Sequence, residues 1–339
     1  MARRIPILKW LIFVTVVYSV TLTVLFMSSN PTLTPCAQTA EIRFQGNHET
    51  TSRNSATLRE CPSIGDNKEW GPHKMVVIVP FRDRLEELLE FAPHLQQYLV
   101  RKHVRHEIIV VNQVDSLRFN RGSLINVGVL ESQNDCDYIA MHDVDLLPLN
   151  DALDYSFPEE GPFHVSAPDL HPLYHYHSFI GGILLVTKFH FKMVNGMSNR
   201  YWGWGREDDE FYVRLRKAGL LKTKFVTKNG ESIPEYEVRR PQNITTGLET
   251  FRHIHDKKQR PRDNKRFFNQ KEKTSKLDRE TGVDNIQYEV LNRHKISVNG
   301  TSFTMLEVVL KCDYEKTPWC LKAEDHHLIK NYITPLPPR

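Results

Sequence analysis

Apolar residues along this chain fall into short unbroken runs and longer stretches with helical spacing, and the two patterns alternate. Residues 74–79, almost entirely Val, Ile and Met, read as a strand buried on both faces, because no polar position interrupts the run. Leu85, Leu88, Leu89, Leu95 and Leu99 then recur at largely helical spacing, which predicts a helix over 85–99 that Pro93 kinks or shortens. The strand pattern returns at 107–111 and 137–141, and the helical one at 121–130 and at 211–218, where Gly219 supplies a stop. Strands alternating with helices predict right-handed βαβ units and a mostly parallel sheet. Ligands of such sheets collect beyond the carboxyl ends of the strands, where the polar groups of 80–84 and 142–145 fall.

Before this domain the pattern is different. Residues 10–27 carry no charge, and with Ile7 and Leu8 they approach the roughly 20 apolar residues that span a bilayer. Arg3, Arg4 and Lys9 precede the run, so the expectation is a cytoplasmic tail over 1–9, a signal anchor over 10–27 and a lumenal remainder, hence a single-pass type II protein. A cleaved signal peptide is the competing reading; the length of the run and the poor cleavage site at Ser28-Ser29-Asn30-Pro31 stand against it. Residues 28–69 are rich in Thr, Ser, Asn and charge without apolar period, which is the composition of a stem. The catalytic domain is expected over 70–325, with a tail over 326–339.

A lumenal domain gives other signals a meaning. Asn243 and Asn299 each open an Asn-x-Thr glycosylation triplet. Cys312 and Cys320 have a spacing suited to a loop-closing disulfide, whereas Cys36, Cys61 and Cys136 have no evident partner. The net charge of +4 is too small a bias to suggest nucleic acid, and the chain carries no zinc-finger spacing, GxGxxG or Walker loop.

Three motifs carry chemistry. Asp143-Val144-Asp145 emerges directly from an apolar strand, where two carboxylates holding a divalent cation would meet a diphosphate. Isolated D-x-D triplets are mostly solvated loop acids, so placement is what gives this one weight. In the second motif, His253 and His255 share a face if the segment is extended, and two imidazoles with one carboxylate make a borderline site for manganese. The bland alternative is a pair of surface histidines. The third is Tyr201-Trp-Gly-Trp-Gly-Arg-Glu-Asp-Asp209, in which Trp202 and Trp204 between glycines form a mobile aromatic element. Glu207, Asp208 and Asp209 there begin a helix whose dipole should keep one carboxylate ionised as a base.

These motifs, with Pro80-Phe-Arg-Asp-Arg84, Phe119-Asn-Arg121, Leu124-Ile-Asn-Val-Gly128 and Gly181-Gly182, resemble in order the β-1,4-galactosyltransferase family over about 70–320. His171-Pro-Leu-Tyr-His-Tyr176 and the His-x-His pair resemble its xylose-acceptor branch. The resemblance implies a GT-A-like nucleotide-sugar-binding α/β fold, placed in the Golgi membrane. It implies a donor site for UDP-galactose at Pro80, Phe81, Arg82, Arg84, Phe119, Arg121, Asp143, Val144, Asp145, Phe179, Gly182 and Trp204. Mn²⁺ would sit on Asp145, His253 and His255. Asp208 would be the catalytic base, with Glu207, Asp209 and Trp204 around the acceptor, a xylosylated proteoglycan core protein. Phe179 stands where the family usually has tyrosine, and about fifteen residues around 227–239 look like an inserted surface loop. Acceptors ending in N-acetylglucosamine, or an inactive sugar-binding role on the same fold, are the rival expectations. The basic segment 256–280 has almost no aliphatic residues and is expected to be mobile until donor and metal bind.

Overall fold

The computed structural model describes residues 33–35, 65–228, 231–242 and 244–329. The expected cytoplasmic tail, membrane span, nearly all of the stem, Cys36, Cys61, Asn243 and residues 330–339 lie outside them. Among the described residues no helix is long and apolar enough to cross a membrane.

Twelve strands are numbered in chain order: β1 Leu33–Pro35, β2 Met75–Phe81, β3 His106–Gln113, β4 Tyr138–His142, β5 Leu146–Pro148, β6 Phe163–His164, β7 Ile183–Thr187, β8 Lys222–Lys228, β9 Glu231–Glu237, β10 Phe251–His253, β11 Tyr288–Val298 and β12 Thr301–Leu310. Eight of them make one sheet in the order β1-β11-β12-β3-β2-β4-β7-β6. The expected mostly parallel sheet is in fact mixed. β12–β3, β3–β2 and β2–β4 are parallel, while the outer pairings are antiparallel. On one side this follows from the turn at Asn299 and Gly300, whose positive φ values of 48° and 79° suit a two-residue hairpin between β11 and β12.

The helices are α1 Leu85–Arg101, α2 Arg121–Glu131, α3 Lys188–Met193, α4 Glu207–Lys217 and the single turn α5 Gln270–Lys273. All seven residues of β2 are buried, as a strand covered on both faces requires. Met75, Val77 and Val79 pack with Leu88, Phe91 and Leu95 of α1, and Val76 and Ile78 with Leu124 and Ile125 of α2 and Phe211 and Leu215 of α4. α1 runs through Pro93 without stopping. The apolar stripe it buries against the sheet outweighs the one backbone donor that proline removes.

The inserted segment is a β8–β9 hairpin rather than an irregular loop. Cys312 and Cys320 are disulfide-bonded, and Cys136 is buried as a free thiol. Asn299 sits exposed at the tip of the β11–β12 hairpin.

Candidate active site

A cavity of about 740 Å³ opens above the carboxyl ends of β2 and β4. Each strand delivers its polar group by running out: β2 into Arg82 and Arg84, β4 into Asp143 and Asp145. α2 begins beside them because the Asn120 side chain accepts a hydrogen bond from Ser123 N at 3.0 Å, which makes Arg121 the first helical residue. Arg121 Nε donates to Asp143 Oδ1 at 2.8 Å, and its Nη1 lies 3.8 Å from Glu207 Oε1. One guanidinium thus joins the D-x-D turn to the acidic helix start.

Of the expected donor residues, Pro80, Arg82, Arg84, Phe119, Arg121, Asp143, Val144, Asp145, Phe179, Gly182 and Trp204 line this cavity. Phe81 does not. The pleat turns it to the opposite face of β2, where it packs with the α1 core at 6% exposure. Arg82 is at the wall, but its donors are spent on the carbonyls of Gln113, Asp115 and Leu117, so it braces the β3–α2 loop. Trp202 is also a core residue at 3% exposure, and only Trp204 of the Trp-Gly pair reaches the cavity.

Register explains how the distant histidines arrive. The ribbon β5–β10 pairs His253 with Leu146, and Ile254 N donates to Asp145 O at 2.9 Å. His253 Nε2 then stands 3.9 Å from Asp145 Oδ1, and His255 Nδ1 3.4 Å from Asp145 Oδ2. Burial lowers the pKa of His253, keeping its imidazole neutral with a lone pair to give. Burial pushes the Asp145 carboxyl up, yet its hydrogen bond with His255 and the nearby Arg84 charge bring it below the usual value. Among the described residues no three such side chains are already assembled as a chelate. Here Arg84 Nη1 fills the gap, 2.8 Å from His255 Nδ1 and 3.8 Å from Asp145 Oδ2. His255 Nε2 is buried without a hydrogen-bond partner. Two imidazoles and one anionic oxygen, with one ring nitrogen orphaned, fit a borderline divalent cation such as manganese.

Burial governs the charge of the acid cluster. Asp208 is pushed up to about 8, first by burial and then by Glu207 and Asp209 on either side. These outweigh the stabilisation that the helix dipole offers the Asp208 carboxylate. Although part of its surface opens onto the cavity, the packed protein around it withholds bulk water. Glu207 and Asp209 are raised for the same leading reason. Glu207 Oε2 is buried without a hydrogen-bond partner within the protein. Asp208 also fixes a glycine. A Cβ at Gly181 would stand 2.6 Å from Asp208 Oδ2 and 2.6 Å from the Phe179 ring. Gly181→Ala is therefore expected to displace the carboxyl and cost about 10²-fold in kcat while leaving the melting temperature within a few degrees. An activity loss matched by unfolding would place the fault in packing.

Sequence reasoning gave no separate role to the cavity residues His171, Tyr174, Tyr176 and Arg262. Tyr176 acts on Asp209, opposing the upward push of burial on its carboxyl. Arg262 lies over the rings of Trp204 and Tyr174, 4.7 and 5.5 Å from their centroids. An alternation of aromatics with histidine at 171–176 was the available signal, but its loop conformation has no period to read. Residues 259–263 and 266 line the cavity, so the segment expected to be mobile is seated against it.

The chain was then compared with known proteins. Residues 30–158 match the N-terminal region of glycosyl transferase group 7, and residues 161–254 match the family described as the N-terminal domain of galactosyltransferase. The β-1,4-galactosyltransferase 7 of Homo sapiens is 55% identical over 255 residues, covering 75% of this chain and 73% of that protein. The xylosylprotein 4-beta-galactosyltransferase of Caenorhabditis elegans is 46% identical over 254 residues, covering 73% and 82%. An aspartate-to-asparagine variant of the Drosophila β-1,4-galactosyltransferase 7, solved with manganese, UDP-Gal and xylobiose, is 53% identical with a TM-score of 0.68, covering 74% of this chain and all of that one.

Proposed function

The chain belongs to the β-1,4-galactosyltransferase family, and from that membership we propose that it transfers galactose from UDP-galactose to O4 of xylose with inversion. It is a xylosylprotein 4-beta-galactosyltransferase with manganese as cofactor. The observation that carries the chemistry is that one cavity holds both Asp208, pushed up to about 8, and the Asp145, His253 and His255 set.

Asp208 in its ionised form accepts the proton of the xylose O4 hydroxyl as that oxygen bonds to the galactose anomeric carbon. The bond from that carbon to the phosphate oxygen breaks on the opposite face, and UDP leaves. Asp145, His253 and His255 would hold the manganese ion, which would supply charge neutralisation at the diphosphate. Arg84, which now spans that set, is placed to turn its guanidinium toward the same oxygens. Glu207 and Asp209 flank the reacting hydroxyl and hold the sugar, with Trp204 as the apolar face on which it stacks.

In our reading the natural acceptor is xylose on a proteoglycan core protein, so that the reaction builds the glycosaminoglycan linkage. The uncharged run 10–27 anchors the enzyme in the Golgi membrane with residues 28–69 as its stem. Exposed Asn299, at a hairpin tip, is an accessible glycosylation acceptor. The acceptor assignment is tested by comparing kcat/KM on a xyloside and on an N-acetylglucosaminide with UDP-galactose and Mn²⁺. A clear preference for the xyloside is expected; equal rates, or preference for the other sugar, would reassign the enzyme within its family.

A further inference from the structure

We propose that Arg118 is a positioning residue that locks Trp204 and the segment 262–266 together, so that the outer wall of the active site forms as one unit. Its side chain is 1% exposed and does not itself line the cavity, yet it spends its donors on three separate pieces of chain. Nε donates to Asp263 Oδ2 at 2.6 Å and Nη2 to Lys265 O at 2.7 Å. Nη1 donates to Gln270 Oε1 at 3.1 Å and to Trp319 O at 2.9 Å, beside the Cys312–Cys320 disulfide. Its own backbone N–H donates to Cys320 O at 2.8 Å, so the anchor at this end is covalently closed.

The Trp loop is threaded through the same knot. Gly203 N donates to Phe119 O at 2.8 Å, and Trp204 N donates to Asp263 O at 2.8 Å. A Cβ at Gly203 would lie 2.0 Å from Arg118 Nη2, and its φ of +86° suits glycine, so the loop passes directly over the guanidinium. Arg266 Nη2 donates to Trp204 O, and Arg262 covers the Trp204 ring. A planar fork with five donors can satisfy this many acceptors at fixed angles, whereas an ammonium group cannot. Without it the segment and the indole lose their common reference point. Water then gains access to the anomeric carbon before the acceptor is in place.

The inference rests on the galactosyl-transfer reading, and two measurements on the full chain separate their fates. In Arg118→Lys, with Mn²⁺, UDP-galactose and a xyloside, the ratio of free galactose to transferred galactose should rise about fivefold or more. That ratio is taken within the active molecules, so a simple loss of folded protein leaves it unmoved. Asp263→Asn, which keeps the bonds of Arg118 to Gln270 and Trp319, should move the ratio in the same direction. The double variant should be no worse than the more affected single one, because Arg118→Lys already disturbs the Asp263 contact that Asp263→Asn weakens. An unchanged ratio, or effects that multiply in the double variant, would overturn the role. The second measurement needs no catalysis: tryptic cleavage after Arg262 or Lys265 should accelerate in Arg118→Lys relative to the parent chain. Equal cleavage rates would overturn it even if the galactosyl-transfer reading itself failed.

Discussion

Asp208→Asn should lose about 10² to 10⁴ in kcat, the range ascribed to a general base, while UDP-galactose still binds. The same substitution should raise stability, and the pH dependence distinguishes this from an ordinary cavity mutation. The folded-state pKa of Asp208 is raised from 3.8 to about 8. A group raised in this way favours folding most below its unfolded value, and that contribution is lost progressively until the pH passes the folded one. The variant should therefore match the parent in melting temperature near pH 4, gain on it up to about pH 8, and keep a constant lead above that. Over the same interval the parent's kcat/KM should rise with pH as the base ionises. A variant with near-normal turnover, or one less stable than the parent at pH 8, would remove Asp208 from its role.

His255→Ala should weaken Mn²⁺ and donor binding together. The ring sits 3.4 Å from Asp145 and carries the orphaned nitrogen, and its loss leaves two of the three donors. An affinity loss of about 10- to 100-fold is already usual for residues that only support a metal ligand, so a ligand itself should cost at least that much. Calorimetric titration of UDP-galactose at graded Mn²⁺ concentrations should show the donor's affinity recovering as metal is raised. Donor affinity that ignores both the substitution and the metal would mean that the diphosphate is held elsewhere, with Arg84 and Arg121 as the remaining cations.

The strands that build the floor of the site were readable because β2, β3 and β4 are buried on both faces and therefore uninterrupted in sequence. Asp143 and Asp145 could be placed at a strand end for the same reason. β11 and β12 were not read as strands: with one face half-exposed they mix Glu, Lys, Arg and Asn among apolar positions, and no continuous run announces them. Their Asn299-Gly300 turn was visible, but only as a glycosylation triplet. The antiparallel outer strands were missed with them, which is why the sheet read as mostly parallel. His253 and His255 could be paired with each other by spacing, but their meeting with Asp145 depends on the β5–β10 register, a long-range fact that no local period encodes. The Pro80-Phe-Arg-Asp-Arg84 motif reads as one block, whereas strand parity turns the Phe81 side chain from the cavity into the core. The raised pKa of Asp208 has no local signature either. A helix start is legible in sequence, but the burial that overrides its dipole is a property of the folded neighbours.

The product of the first turnovers tests the central claim most directly. The full chain, incubated with UDP-galactose, Mn²⁺ and a simple xyloside, should yield a single disaccharide whose NMR spectrum shows β-configured galactose on O4 of xylose. An α-configured galactose would contradict a single displacement assisted by Asp208, and attachment at another xylose hydroxyl would contradict the transfer to O4.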